Sequence, residues 1–289
     1  MSATSNYTDR PRHLQALQRR LANTRGLNGD QTHRLMRTMA NVVVAQMLPA
    51  GAIKGGTSMN LRLGPDRSRF SSDIDVSRPR RLSEDAFIAT LQGNLARGWS
   101  GFTGVVIKER RANPRDVPSQ YVMQSYAIQV TYMGKVISRV PLELAMDEIE
   151  STEVAIETID AAIVRLFTRI GLDEPLPCAV LSVEHQIAQK IHACTTVARG
   201  VTNQRAHDLV DIQLLYEDEE LDLVALDGIG RRLFALRKKG TWPPEVRELP
   251  GWTPLYEEPA EGMGVRDLTQ AVEWINELIG AAVVVANSQ

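Results

Sequence analysis

The sequence predicts an α/β lobe over residues 1–150 followed by a helical lobe over residues 151–289. Three observations carry that prediction. Tyr126, Ile128, Val130 and Tyr132 alternate with polar or small residues, as on a half-buried strand. Leu35, Met39, Val42, Val43 and Met47 recur instead at helical spacing. From Ser182 onward the periodicity is helical throughout, which assigns the strands to the first lobe.

Taken in order, Arg10 to Arg25 reads as a helix on the spacing of Leu14, Leu17 and Leu21, and Asp30 to Met47 as a second. Pro49 to Gly56 is rich in turn-forming residues. Asp73 to Val76 reads as a short strand and Glu84 to Leu95 as a helix. Three further strands are expected at Gly104 to Arg110, Tyr121 to Tyr132 and Val136 to Leu144, the last two joined at Gly134. The lobe boundary is expected between Asp147 and Pro177. Helices are expected at Ser182 to Ala198, Arg205 to Tyr216, Leu221 to Leu236 and Val265 to Val285, with Trp242-Pro243-Pro244 separating the last two.

Hydrophobic residues make up 43% and charged residues 24%, the balance of a chain with a sizeable core, which excludes wholesale disorder. The longest apolar run, Leu278 to Ala286, is about half of the ~20 residues a bilayer requires, so no membrane partner is expected. Met1 to Arg20 is polar and Arg-rich, unlike a secretory signal. Cys178 and Cys194 are too few for a disulfide scaffold or a cysteine-based zinc site. A cytoplasmic location is expected. The charge is divided: residues 1–119 carry 19 basic against 9 acidic side chains, and residues 120–289 carry 14 against 26. A basic front half favours a polyanionic partner there.

The chemistry concentrates in Lys54-Gly55-Gly56-Thr57-Ser58 and in Arg69-Phe70-Ser71-Ser72-Asp73-Ile74-Asp75. Adjacent glycines free backbone N–H groups of obstruction, and with Thr57 and Ser58 at a helix start they suit a phosphate group. The order is not that of a Walker A loop, whose Lys follows the second conserved Gly. Asp73 and Asp75 are expected on one strand face, where two carboxylates repel unless a cation bridges them. Hard oxygen donors of this kind suit Mg²⁺, or Mn²⁺, with nucleotide phosphates completing the shell. Glu143, on the strand face opposite to Val140, Leu142 and Leu144, is the candidate third carboxylate, with a solvent-facing edge residue as the alternative.

In Ser182 to Ala198, Lys190 falls in the middle of the apolar arc, whereas His185 and His192 fall on the polar side and are expected at the surface. A buried ammonium requires an anion or a cleft. Asp208 and Asp211, one turn apart, are the candidate anions: one is expected to pair with Arg205, the other to hold Lys190 or reach a nucleotide.

Together with Gln186-Ile-Ala-Gln-Lys190-Ile-His-Ala and Arg205-Ala-His-Asp208-Leu-Val-Asp211, these motifs resemble the AbiEii/AbiGii-type nucleotidyltransferase toxins, in particular the MenT branch. The resemblance implies a DNA polymerase β-like nucleotidyltransferase N-terminal lobe and a helical second lobe. It also implies a toxin of a toxin–antitoxin (abortive infection) system that uses Mg²⁺ and an NTP to add nucleotides to the 3′ end of tRNA. Its partners would be tRNA and a cognate antitoxin, such as an AbiEi-like winged-helix regulator. By position, Asp73 and Asp75 would hold metal and Lys54, Gly55, Gly56, Thr57, Ser58 and Ser71 would surround the nucleotide. Lys190 would contact the triphosphate, Asp211 would be the second-lobe acid, and Glu143 matches less securely. Two other readings keep part of this pattern: transfer onto a protein hydroxyl, including Ser71 or Ser72 of the chain itself, or a non-enzymatic interaction protein with a degenerate site.

Overall fold

The computed structural model describes residues 7–25, 29–109, 124–196 and 202–288. The chain divides into two compact units: Met1–Asp66 with Phe70–Val180, and Arg67–Arg69 with Leu181–Gln289. The division therefore lies beyond the Asp147–Pro177 range expected, and beyond residue 150. The reason is that two short strands and a helix after residue 150 complete the first unit.

The first unit is built on a seven-stranded sheet in the order β3-β4-β5-β2-β1-β7-β6. Its strands are β1 (Ala52–Lys54), β2 (Ile74–Arg78), β3 (Phe102–Lys108), β4 (Gln124–Tyr132), β5 (Lys135–Met146), β6 (Ile156–Thr158) and β7 (Cys178–Val180). β2 pairs parallel with β5 and antiparallel with β1, so the centre of the sheet brings together three segments distant in sequence. The β4–β5 hairpin turns at Met133 and Gly134, whose φ values of 46° and 77° are those of the tight turn that matches strand twist. Tyr121 to Met123 and Arg110, expected at strand ends, lie outside the described residues.

Ile74, Val76, Ile128, Val130, Val140, Leu142 and Leu144 form the buried side of the sheet. They share one core with α1 (Leu14–Arg25), α2 (Gly29–Ala45), α4 (Glu84–Arg97) and α5 (Ala161–Arg169). β1, β6 and β7 have three residues each, too few to show a period, and β1 lies inside the stretch read as a turn. α5 was legible but not expected: Asp160 caps it, and Ile163, Leu166 and Phe167 form its buried face.

The second unit is helical, with α6 (Val183–Thr195), α7 (His207–Asp218), α8 (Leu223–Arg237), α9 (Trp252–Ala260) and α10 (Leu268–Asn287). α9 was not expected, because Pro254 and Pro259 interrupt its pattern. α10 is long and apolar enough to cross a membrane, with a mean hydropathy of 1.3. Its Leu268, Ala271, Ile275, Leu278, Ile279 and Ala282 are nevertheless buried in the unit. Val197 and Ala198, expected at the end of α6, lie outside the described residues.

His185 and His192 are buried, not at the surface. The amphipathic wheel failed because α6 packs against both α7 and α8, so two of its faces are covered. His185 Nδ1 meets the Ser182 hydroxyl at 2.9 Å, and the His192 ring stands edge-on to Phe234 at 4.8 Å. Both cysteines are free and buried. Burial, with Glu157 nearby, pushes the Cys178 thiol up to about 12, and burial raises Cys194 well above its usual value. The native protein is therefore expected to resist a thiol reagent such as dithionitrobenzoate at pH 8, with both sulfurs reacting once guanidinium unfolds it.

Candidate active site

α3 (Gly55–Leu63) starts directly from the end of β1, with Lys54 as its N-cap residue and no side chain capping it. By contrast Ser83, Asp160, Ser182, Asp222 and Asp267 each cap their helices with a side-chain oxygen. The first amides of α3 thus form an N-terminus of the kind that receives anions.

The strand register places the acids relative to this turn. Lys54 on β1 lies opposite Asp75 on β2, Asp75 beside Glu143 on β5, and Glu143 opposite Ser125 on β4. Directly paired residues share a sheet face, so Lys54, Asp75 and Glu143 form one row away from the buried side. Gly55 has φ +67°, and a Cβ there would collide with Asp75 Oδ2. The carboxylate therefore occupies the side-chain position of Gly55 at the mouth of α3, where the helix dipole favours a negative charge.

Asp73 stands one residue before β2, in a bend, so strand alternation does not govern its side chain. Its orientation comes from hydrogen bonds: the Ser71 hydroxyl donates to Asp73 Oδ1 at 2.8 Å, leaving Oδ2 outside that bond. Thr57 and Ser58 are buried, and their hydroxyls donate to the carbonyls of Asp73 at 2.6 Å and Gly55 at 2.7 Å. They build the turn at which Gly55 and Gly56 open the helix. Asn41 of α2 was not anticipated, although as a polar residue inside the apolar stretch Met39 to Val44 it carried a signal. Its amide lies against Thr57, Ser71 and Asp73.

Among the described residues no group of three His, Cys, Asp or Glu side chains is close enough to hold a metal ion, so Glu143 does not join the two aspartates in one cluster. Two carboxylates are sufficient for Mg²⁺, which commonly takes one or two and fills its shell with phosphate and water oxygens. The Asp75 carboxylate at the open end of the helix, and that of Asp73 two residues earlier, are hard oxygen donors whose chemistry suits such an ion.

Lys190, Asp208 and Asp211 come together in the second unit. The Lys190 ammonium donates to Asp208 Oδ1 at 2.9 Å and Asp211 Oδ2 at 2.6 Å, with both aspartates fully buried. Arg205 Nε donates to Asp208 Oδ2 at 2.6 Å, and Arg69 Nε reaches both Asp211 oxygens at 3.1 Å. The anion Lys190 requires is thus supplied by both aspartates, where the sequence suggested one. Burial alone would lower the Lys190 pKa and raise that of Asp208. The partners prevail: Asp208 and Asp211 raise Lys190, while Lys190, Arg205 and His207 hold Asp208 at about 2. Burial lowers the pKa of His207.

An aspartate at the mouth of a glycine-opened helix sets an acid suited to a divalent cation beside a helix start suited to phosphate. The family model described as nucleotidyl transferase AbiEii toxin, type IV TA system, matches residues 34–275, and the chain belongs to that family. Its structure is similar to that of MenT4, a nucleotidyltransferase toxin from Mycobacterium tuberculosis H37Rv, at 16% identity and a TM-score of 0.54, covering 93% of this chain and 98% of that one. It is also similar to JHP933 from Helicobacter pylori, at 15% identity and a TM-score of 0.44, covering 91% and 96%. At this identity the MenT4 likeness is one of fold, a mixed α/β sheet unit with C-terminal helices. No curated protein matches the chain.

Two outcomes follow from this geometry. Lys190→Ala would leave two buried carboxylates short of a cation and should lower unfolding stability by about 3–5 kcal/mol, read by thermal or urea melts. The low folded-state pKa of Asp208 contributes stability that is complete above its unfolded value near 4 and lost as pH falls towards 2. His207 adds a loss of the same sign beginning below about pH 6.5, and Lys190 one of opposite sign as pH rises beyond its unfolded value near 10.5. Urea melts across pH should show the His207 contribution disappear in His207→Gln while the loss below pH 4 persists.

Proposed function

We propose that the protein transfers a nucleoside monophosphate from an NTP to the 3′ end of tRNA, with Asp73 and Asp75 holding Mg²⁺ or Mn²⁺. The observation that carries this reading is the Asp75 carboxylate seated at the side-chain position of Gly55, at the uncapped start of α3. That juxtaposition puts a metal-binding acid beside amides suited to phosphate oxygens. A bound metal ion would supply charge neutralisation for the triphosphate and the leaving pyrophosphate. The Gly55 and Gly56 amides would grip a phosphate group, with Thr57 and Ser58 holding those amides in place and Lys54 adding a cation beside Asp75. Ser71 would orient Asp73. Glu143, next to Asp75 in the sheet, would accept the proton of the attacking 3′ hydroxyl as its oxygen bonds to the α-phosphorus and pyrophosphate departs.

The resemblance gives Lys190 a triphosphate contact and makes Asp211 an active-site acid. The two short bonds from Lys190 to buried aspartates favour a second role, in which this pair anchors Arg69. Nucleotide affinity of a folded Lys190→Met variant separates the two.

The basic first half supports a polyanionic acceptor. Arg80 is a poor probe of it, because its guanidinium donates to the backbone carbonyls of Asp147 and Glu148. Arg34 and Arg81 are exposed and better suited. As a type IV toxin the protein has a cognate antitoxin; an AbiEi-like regulator is its proposed identity, and the cytoplasm, where a tRNA acceptor would be met, is the proposed place of action.

Incubation with total tRNA and each labelled NTP tests the proposal. Label should enter tRNA, and EDTA, Asp73→Asn or Asp75→Asn should abolish transfer with the melting temperature little changed. Label on the protein alone would shift the assignment to transfer onto a hydroxyl such as that of Ser71 or Ser72. Arg34→Glu with Arg81→Glu should weaken tRNA binding and flatten its salt dependence by roughly 0.7–0.9 log units for each phosphate no longer engaged. Unchanged binding in every such basic-pair variant would make the charge division incidental.

A further inference from the structure

We propose that Asn41, acting with Thr57, is a positioning residue that sets Asp73 against the Gly55–Gly56 turn; this rests on the reading of Asp73 as a metal ligand. Asn41 is 4% exposed and belongs to α2, which supplies none of the expected site residues. Its Nδ2 donates to Thr57 Oγ1 at 3.0 Å and to the Ser71 carbonyl at 3.1 Å, and lies 3.5 Å from the Asp73 carbonyl. Thr57 Oγ1 in turn donates its single proton to the Asp73 carbonyl at 2.6 Å. With that proton committed, Thr57 Oγ1 must accept from Asn41, which fixes which end of the amide faces the knot. A flipped amide would aim its oxygen at three acceptors. The opposite end, Oδ1, is buried without a hydrogen-bond partner among the described residues, an arrangement that packing alone gives no reason to keep.

The knot joins the two segments that make up the site. Thr57 lies in the first turn of α3, which starts at Gly55 and Gly56 without a side-chain cap, and Ser71 and Asp73 form the approach to β2. Ser71, whose carbonyl Asn41 holds, also donates through its hydroxyl to Asp73 Oδ1 at 2.8 Å. One side-chain amide therefore fixes both the backbone of Asp73 and the residue that orients its carboxylate. Removing it should loosen the metal site without touching metal or nucleotide, as loss of an outer hydrogen-bond partner does elsewhere.

The test is Mn²⁺ binding without nucleotide, followed by the electron paramagnetic resonance of free Mn²⁺, together with NTP kinetics at several Mn²⁺ concentrations. Asn41→Leu and Thr57→Val should each weaken Mn²⁺ binding by about 10-fold or more. Both should lower kcat, with partial recovery at high Mn²⁺ and little change in KM for NTP. Thr57→Ser, which keeps the hydroxyl, should restore Mn²⁺ affinity, and the Thr57 pair carries the test if Asn41→Leu does not fold. Asp73→Asn is the control for the underlying reading: if it binds Mn²⁺ like wild type, the metal assignment fails and the positioning role with it. If Asp73→Asn loses Mn²⁺ while Asn41→Leu and Thr57→Val retain it, the positioning role alone is overturned. A raised KM for NTP in Thr57→Val with unchanged Mn²⁺ binding would also overturn it, making Thr57 a nucleotide contact.

Discussion

The Asp75 carboxylate lies where the side chain of residue 55 would be, and the geometry of the first unit depends on that residue having none. The positive φ of Gly55 lets the chain leave β1 and enter α3 without an intervening loop, and the missing Cβ admits the acid to the helix mouth. Around this contact the central strands bring the remaining polar row into line, since β2 carries Asp75 between Lys54 of β1 and Glu143 of β5. The opposite side of the same strands, Ile74, Val76, Leu142 and Leu144, is fully committed to the core. A register slip of one residue would exchange the two faces, so the core and the acid row are specified together.

The helical unit meets a different constraint. Asp208 and Asp211 are wholly buried on α7, and two carboxylates in that setting are tolerable only with cations at hydrogen-bond distance. Lys190 serves both, Arg205 completes Asp208 from within α7's own approach, and Arg69 comes to Asp211 from far earlier in the chain. Arg67 likewise pairs with Asp218 at 2.6 Å, which explains why residues 67–69 cluster with this unit and their neighbours do not.

Polar side chains that look chemically active in the motifs turn out to divide their work. Thr57 and Ser58 give their hydroxyl protons to backbone carbonyls, Ser71 serves Asp73, and Arg80 holds the turn after β5. Asp147 is used in that same turn, accepting from the amides and hydroxyls of Ser151 and Thr152 while buried. Groups of this sort are required because a turn near a site has backbone donors and acceptors that no sheet or helix satisfies.

Features that rest on local periodicity and residue chemistry are legible along the chain before it folds. These are the alternation of β4 and β5, the tight turn at Gly134, the long helices, the family and the candidate residues of the Gly-Gly turn and the Asp-x-Asp segment. The sequence also marked Lys190 as a charge in need of a partner, because a lysine inside an apolar arc is expensive wherever the helix packs. Contacts that join distant segments come into being with the fold. Three-residue strands such as β1, β6 and β7 have no readable period, and their existence depends on neighbours in the sheet. The burial of His185 and His192 depends on how many helices surround α6, which a single-helix wheel cannot register. The same holds for Asn41: its polarity in an apolar stretch is local, but the oxygen atoms that give it a purpose come from residues 57, 71 and 73.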